Sequence, residues 1–183
     1  MSKPIIIAIS GHAQNGKDTC AQMFEHALKE KGKRVLVTHY ADLLKYICKQ
    51  FFNWNGEKDE AGRTLLQHVG TQVVREKYPD FWVDFIHTIL TLFPDEWDYV
   101  IIPDTRFPNE LYGGKYEGVF KTIHVRVERN DPSFKSPLTM EQQNHPSETA
   151  LDGYEYNYLI ENNILKDTWN KVKGIVDEIV KRD

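Results

Sequence analysis

The chain opens on an unbroken apolar run, Ile5-Ile6-Ile7-Ala8-Ile9, with no polar alternation. Such a run predicts a strand covered on both faces. After a glycine-rich turn the period changes. Cys20, Met23, Phe24, Ala27 and Leu28 recur at helical spacing between Lys17 and Lys31, and Gly32 closes the segment. Val35–Val37 predicts a second strand, Tyr99–Ile102 a third, residues 119–127 an alternating fourth and 156–160 a short fifth. Residues 41–93 show helical spacing only. Leu43, Leu44, Ile47 and Phe51 mark one helix, Leu65, Leu66, Val69, Val73 and Val74 another, and Phe81 to Leu92 a third. The stripe Ile164, Leu165, Trp169, Val172, Ile175, Val176 and Ile179 predicts a C-terminal helix. Residues 130–149 are polar, carry three prolines and read as a loop or mobile flap.

Strands separated by helices predict an α/β fold with a mostly parallel five-stranded sheet covered on both faces, in three layers. Right-handed crossovers place a ligand at the carboxyl ends of the strands. The expected organisation is one domain, 1–183, with a helical insert over about 41–93 and a lid over about 129–149. Both additions follow strands, so both belong at that edge.

Composition narrows the chemistry. With 23 Lys and Arg against 27 Asp and Glu, the formal net charge is -4, which disfavours a nucleic acid polymer or an anionic membrane as partner. Any binding of phosphate must then come from a local basic pocket. At 183 residues a sizeable core is available, since roughly 70 % of the unfolded surface can be buried at this length. No apolar run is long enough to span a bilayer, and the first residues do not read as a secretory leader. Cys20 and Cys48 are too few for a disulfide framework and fit a reducing, cytoplasmic setting.

The sharpest signal is Gly11-His12-Ala13-Gln14-Asn15-Gly16-Lys17-Asp18-Thr19. It matches G-x-x-x-x-G-K between a buried strand and an amphipathic helix, with Asp18 where Ser or Thr is usual. Gly11 and Gly16 let the backbone curl, so that N–H groups, Asn15 included, point at phosphate oxygens. The helix N-terminus adds positive partial charge. Lys17 would reach the β- and γ-phosphates, and Thr19 would offer its hydroxyl to a phosphate or a metal-bound water. Asp18 reads either as a helix-dipole partner or as part of a metal shell.

Asp104 lies just beyond the third strand, where a carboxylate can hold Mg²⁺ or substrate. Arg106 could clamp a phosphate with its planar fork or form an ion pair with Glu110; Asn109 continues the cluster. In the insert, Arg63 and Gln67 are four apart and share a helix face suited to an acceptor's phosphate and base. Lys45 accompanies them, and Asp42 binds substrate or caps its helix. Arg75 reads as surface rather than site, Trp82 as core, and Arg126 as either a flap cation or a solvent-facing strand residue. Arg129, at the strand exit, is the better candidate to close on a transferring phosphoryl group; Lys135 is a weaker one. His145 lacks partners at metal spacing, and Ser147 lacks a base for nucleophilic catalysis.

These pieces resemble the deoxynucleoside monophosphate kinases of phages and bacteria, within the nucleoside-monophosphate-kinase-like P-loop fold. The resemblance runs through Gly16-Lys17-Asp18-Thr19, Ala41-Asp42-Leu43-Leu44-Lys45, and Gly62-Arg63 through Gln67 to Gly70-Thr71. It continues in Asp104-Thr105-Arg106-Phe107-Pro108-Asn109-Glu110, His145-Pro146-Ser147-Glu148 and Tyr158-Leu159-Ile160-Glu161-Asn162-Asn163. The polar flap Pro132–Asn144 departs from the pattern. The resemblance implies transfer of the ATP γ-phosphate to a deoxynucleoside monophosphate, with ATP and Mg²⁺ as cofactors and Asp18 as a normal loop residue. Lys17, Arg106 and Arg129 would be catalytic. Gly11, Asn15, Gly16, Lys17, Asp18 and Thr19 would hold the donor. Asp42, Lys45, Arg63, Gln67, Asp104 and Arg106 would hold the acceptor, and Asp18, Thr19 and Asp104 the metal. The partners would be small-molecule nucleotides, in a host cytoplasm if the gene is a phage's; monomer and homodimer stay open. A kinase of another small phosphorylated acceptor, such as dephospho-coenzyme A or phosphomevalonate, shares the loop and fold. So does a non-catalytic nucleotide-binding module. A GTPase would want an Asn-Lys-x-Asp motif, which Asn162-Asn163-Ile164-Leu165 does not supply.

Overall fold

The structure is a computed structural model and describes residues 3–182. Five strands, β1 (Ile5–Ser10), β2 (Val35–Val37), β3 (Tyr99–Ile102), β4 (Thr122–Glu128) and β5 (Tyr158–Glu161), form one sheet in the order β2-β3-β1-β4-β5. Every pairing is parallel, so the sheet is parallel throughout rather than mostly so. The pattern of β1 explains its place at the centre. Ile5, Ile7 and Ile9 face α1 (Lys17–Glu30) and α8 (Leu165–Lys181), in a core with Phe24, Leu28, Val172 and Val176. Ile6 and Ala8 face the other layer, with Leu44 of α2 (Ala41–Phe51) and Trp82, Val83 and Leu90 of α4 (Phe81–Leu92). A strand sandwiched in this way has no polar face to alternate with.

The insert is helical, as its spacing predicts, but its middle is not one regular helix. Asp59 caps α3 (Glu60–Gln67), its Oδ1 accepting from the Gly62 N–H at 2.7 Å. The chain then continues as a π-helical stretch, His68–Arg75. The widened turn displaces the side chains that follow from an ideal α-helical track. After α5 (Pro108–Tyr112), β4 begins at Thr122, later than the expected 119. The flap holds two short helices, α6 (Met140–Gln143) and α7 (Pro146–Thr149), where the polar pattern predicts a loop. A capping box between Thr139 and Gln142 nucleates α6. The buried Gln142 side chain donates to Glu60 O and Thr64 Oγ1, both at 3.2 Å, and so docks the flap on α3. Among the described residues no helix is long and apolar enough to cross a membrane.

Candidate phosphate-binding site

The loop from β1 to α1 is built by close approaches. Gly11 has φ +145°, and a Cβ there would stand 2.2 Å from Val127 O. Gly16 has φ +92°, and a Cβ there would stand 2.0 Å from Asn162 Nδ2. Only glycine meets both demands. Asn15 Nδ2 donates to Val127 O at 3.3 Å, and Asn162 Nδ2 donates to Asn15 O at 3.0 Å. Neighbouring strand ends thus clamp the loop against β1. Lys17 is buried at the first turn of α1, its Nζ donating to Gly11 O at 2.7 Å and His12 O at 2.9 Å. Burial, and then the nearby Arg106 guanidinium, lower its pKa to about 8.

The loop forms one wall of a cavity of about 880 Å³ at the carboxyl edge of the sheet. The insert and the flap form the others. Of the sequence candidates, Gly16, Lys17, Asp18, Thr19, Lys45, Arg63, Gln67, Asp104 and Arg106 line it. Gly11 and Asn15 shape the loop from outside the lining. Asp42 also lies outside; it pairs with Lys45 at 2.8 Å and faces His39 at 3.4 Å. It does not cap α2, because Asp104 does. The two Asp104 oxygens accept from Tyr40 N at 3.0 Å and Ala41 N at 2.9 Å, joining the end of β3 to the start of the insert. Arg129 is displaced from the cavity: it pairs with Asp131 at 3.2 Å and covers the Phe134 ring at 4.8 Å. A short side chain-to-side chain tie two residues away holds it on its own loop.

Residues 104–110 form a knot in the cavity wall, where Asp104, Arg106, Phe107 and Glu110 line it together with Arg75. Arg75, read from the sequence as surface, is instead a buried ion pair with Glu110 at 2.6 Å, the side chains 12 % and 2 % exposed. Its guanidinium lies over the Phe107 ring at 3.9 Å and donates to Asn109 Oδ1 at 3.0 Å. Glu110 also accepts from the backbone N–H groups of Arg106 and Phe107, so the pair sets the turn that carries Arg106. Burial pushes the Glu110 pKa up, against the pull of Arg75. The sequence offers Arg106 either a phosphate or an ion pair with Glu110; in the structure its partners are the Glu148 carboxylate and Ser147 O at 2.8 Å. Trp82 is core, as expected, its Nε1 donating to Gly70 O at 3.0 Å. Arg126 is buried rather than solvent-facing and pairs with Asp152 at 2.8 Å. His145 caps α7, accepting from Ser147 N at 3.2 Å, and burial lowers its pKa. Lys135 is exposed.

Four residues gain a role that the sequence does not single out. His39 faces Asp18 at 3.5 Å; their hydrogen bond raises the His39 pKa and lowers that of Asp18. Lys58 lines the cavity, and burial, then Lys45, lower its pKa. Glu148 and Asn162 stand in stretches that carry the family resemblance, and that is their only signal.

The acid groups near Lys17 are hard oxygen donors, and no cluster of three or more His, Cys, Asp or Glu able to hold a metal occurs among the described residues. Mg²⁺ fits such a site when phosphates and water complete its shell around one or two carboxylates. Asp104 keeps lone pairs free beyond its two backbone bonds, and the Asp18 side chain is largely exposed.

No protein-family model and no curated protein matches the chain. Among solved structures it is similar to APE1195, at 15 % identity over 98 % of both chains with a TM-score of 0.55. It is also similar to the Mycobacterium tuberculosis APS kinase CysC in complex with AMPPNP and APS, at 10 % identity over 99 % of this chain and 98 % of that one, with a TM-score of 0.48. The likeness to APE1195 supports the α/β fold alone.

Proposed function

We propose that the chain is a P-loop phosphotransferase that moves the γ-phosphate of ATP to a small phosphorylated acceptor, a deoxynucleoside monophosphate. The observation that carries this reading is the joining of two cationic groups in one cavity. Lys17 and the loop amides belong to the loop wall, Lys45, Lys58 and Arg63 to the insert wall, and Arg106 follows β3. A net-negative chain concentrates these cations where two anionic ligands would meet. The volume of about 880 Å³ lies at the upper end of small-ligand sites and has room for the reacting ends of two nucleotides. The choice of a deoxynucleoside monophosphate as acceptor rests on the motif resemblance.

In this reading the loop N–H groups and Lys17 hold the donor phosphates. Arg63 and Gln67, on the insert wall, take the acceptor phosphate and base, with Lys45 and Lys58 beside them. Arg106 stands where both phosphates can reach its guanidinium. Asp18, Thr19 and Asp104 would hold Mg²⁺, which supplies charge neutralisation on the phosphate oxygens. The acceptor phosphate is largely ionised at neutral pH, its second pKa being about 6, so no general base is needed. Catalysis is then positioning and preorganised positive charge. Leu44, Leu66 and Leu138 on the walls help exclude water, which would otherwise hydrolyse ATP. Arg129, tied to Asp131 and Phe134, takes no part.

A coupled assay for ADP release, with ATP, Mg²⁺ and each deoxynucleoside monophosphate in turn, tests the proposal. Strong stimulation by one or two of them is expected. ATP binding without stimulation by any would overturn the acceptor assignment, and absence of ATP binding would overturn the whole reading.

A further inference from the structure

The Glu148 carboxylate is buried, its side chain 4 % exposed, and it has two unlike partners. Oε2 accepts from the backbone N–H of Ala13, inside the phosphate loop, at 3.0 Å. Oε1 pairs with Arg106 Nη1. One donor belongs to the loop that cradles phosphates and the other is the guanidinium placed to meet them. A single carboxylate from the flap therefore fills two positions that a phosphoryl group would claim. Its place along the phosphate chain follows from Lys17. That side chain reaches β- and γ-phosphates in such loops, and here Nζ rests on Gly11 O and His12 O, next to Ala13. Ala13 N thus lies beside the resting place of the ammonium that serves the β- and γ-phosphates.

We propose that Glu148 stands in for the γ-phosphate in the resting site and is displaced by it, so that this residue makes donor affinity depend on the terminal phosphate. This rests on the nucleotide-kinase reading above. An incoming γ-phosphate takes Ala13 N and Arg106, and the carboxylate leaves because two anions cannot share them. A diphosphate carries no γ-phosphate and leaves Glu148 in place. The same displacement acts on the acceptor side. Gln67 Nε2 bonds to Gln142 O at 3.4 Å and Ser147 Oγ at 3.5 Å, and Arg106 bonds to Ser147 O. Moving α7 when the triphosphate arrives breaks the two bonds to Ser147, while Gln142, which belongs to α6 and is docked on α3, stays in place. Glu148 is a specificity-determining residue that discriminates ATP from ADP; it takes no part in bond making.

The test is calorimetric titration of ATP and of ADP, each with Mg²⁺, into the wild-type chain and E148Q, with thermal melting to verify the fold. Glutamine keeps the shape and the acceptor for Ala13 N but removes the charge. Competition for one charge-assisted hydrogen bond weakens a ligand about tenfold, so ATP should bind about tenfold tighter to E148Q, and ADP less than about threefold tighter. Unchanged or weaker ATP binding, or an equal gain for ATP and ADP, overturns the proposal. E148D retains the charge but withdraws it by one methylene; it should show the same ordering with a smaller gain, and it replaces E148Q if that variant does not fold. Failure of the wild-type chain to bind either nucleotide overturns the nucleotide reading, and this inference falls with it. A normal wild-type titration beside an unaltered E148Q overturns the inference alone.

Discussion

The side chain of Asn162 occupies the space that a Cβ on Gly16 would need, its Nδ2 2.0 Å from that position. Asn162 is held there from both ends, donating to Asn15 O at 3.0 Å and accepting from Thr168 Oγ1 at 3.0 Å. The end of β5 thus sets the height of the phosphate loop above the sheet. G16A meets both the φ of +92° and the asparagine, and should cost about 1–3 kcal/mol from backbone strain together with loss of nucleotide binding. N162A alone should cost about 1 kcal/mol in lost hydrogen bonding. The double variant relieves the clash but not the strained φ, so denaturant unfolding should give less than the sum of the two costs.

Lys17 should make donor binding pH-dependent in one direction. Only the ammonium form attracts phosphate, and in the free protein burial lowers the Lys17 pKa to about 8. Bound phosphate raises that pKa again. ATP affinity should therefore be nearly flat below about pH 8 and fall above it, by up to about tenfold per pH unit, with proton uptake on binding. Calorimetry in buffers of different ionisation enthalpy reads the uptake directly. K17M should remove it along with most of the affinity. The effect on unliganded stability has the opposite sign. Between about 8 and the ordinary lysine value of 10.5 the unfolded chain holds the extra proton, so this residue's contribution rises with pH there.

His39 and Asp18 form a second titrating pair at the mouth of the site. Their hydrogen bond raises the His39 pKa above 6.5. A raised histidine contributes stability below its unfolded pKa, and that contribution is lost as the pH rises through the folded value. D18N removes the main cause, so the His39 ring resonances should titrate at lower pH in that variant by NMR. An unmoved midpoint would separate the two residues. Phosphate binding to the loop should raise the His39 midpoint further, because a second anion then stands beside Asp18.

The central strand, the loop and the flanking helices are legible in the sequence because each obeys a single local rule. β1 is apolar on both faces, Gly11 and Gly16 sit where left-handed or crowded backbone is required, and α1 and α8 each carry one stripe. The flap is not legible as helix. Its two helices are four residues each and owe their formation to caps at Thr139 and His145 and to the docking of Gln142 on α3, not to periodicity. Pattern misplaces Arg75 for a related reason. On a helix it looks like one charge among Glu76 and Lys77, but the π-helical stretch and a partner 35 residues later carry it inward. Arg126 likewise owes its burial to Asp152, which comes from beyond the flap. Lys58 gives no signal, being a single lysine in a polar connection. Arg75 and Arg126 are misplaced by pattern because their partners are distant in sequence, and Arg129 because of a near one, Asp131.

The Arg75–Glu110 pair supports the most severe predicted loss. Glu110 is buried beneath Arg106 and Phe107 and accepts their backbone N–H groups, and Arg75 is its only basic partner by ion pairing among the described residues. R75A leaves a buried carboxylate unpaired and should cost about 3–5 kcal/mol. The loss should depend on pH in a definite sense. Burial already raises the Glu110 pKa above 4.5, and removing Arg75 takes away the chief influence holding it down. The folded variant then binds a proton that the unfolded chain has released, so its stability falls as the pH rises above about 4.5. Denaturant unfolding of R75A and the wild-type chain between about pH 5 and 8 should show the gap widening with pH. R75A/E110Q should recover part of the loss and flatten that dependence, since no charge remains to be buried. A gap of the same size at every pH would place the cost in the lost stacking of Arg75 on Phe107 instead of in the carboxylate. Donor binding in R75A should weaken even where the fold survives, because the turn that presents Arg106 to the cavity hangs from the same carboxylate.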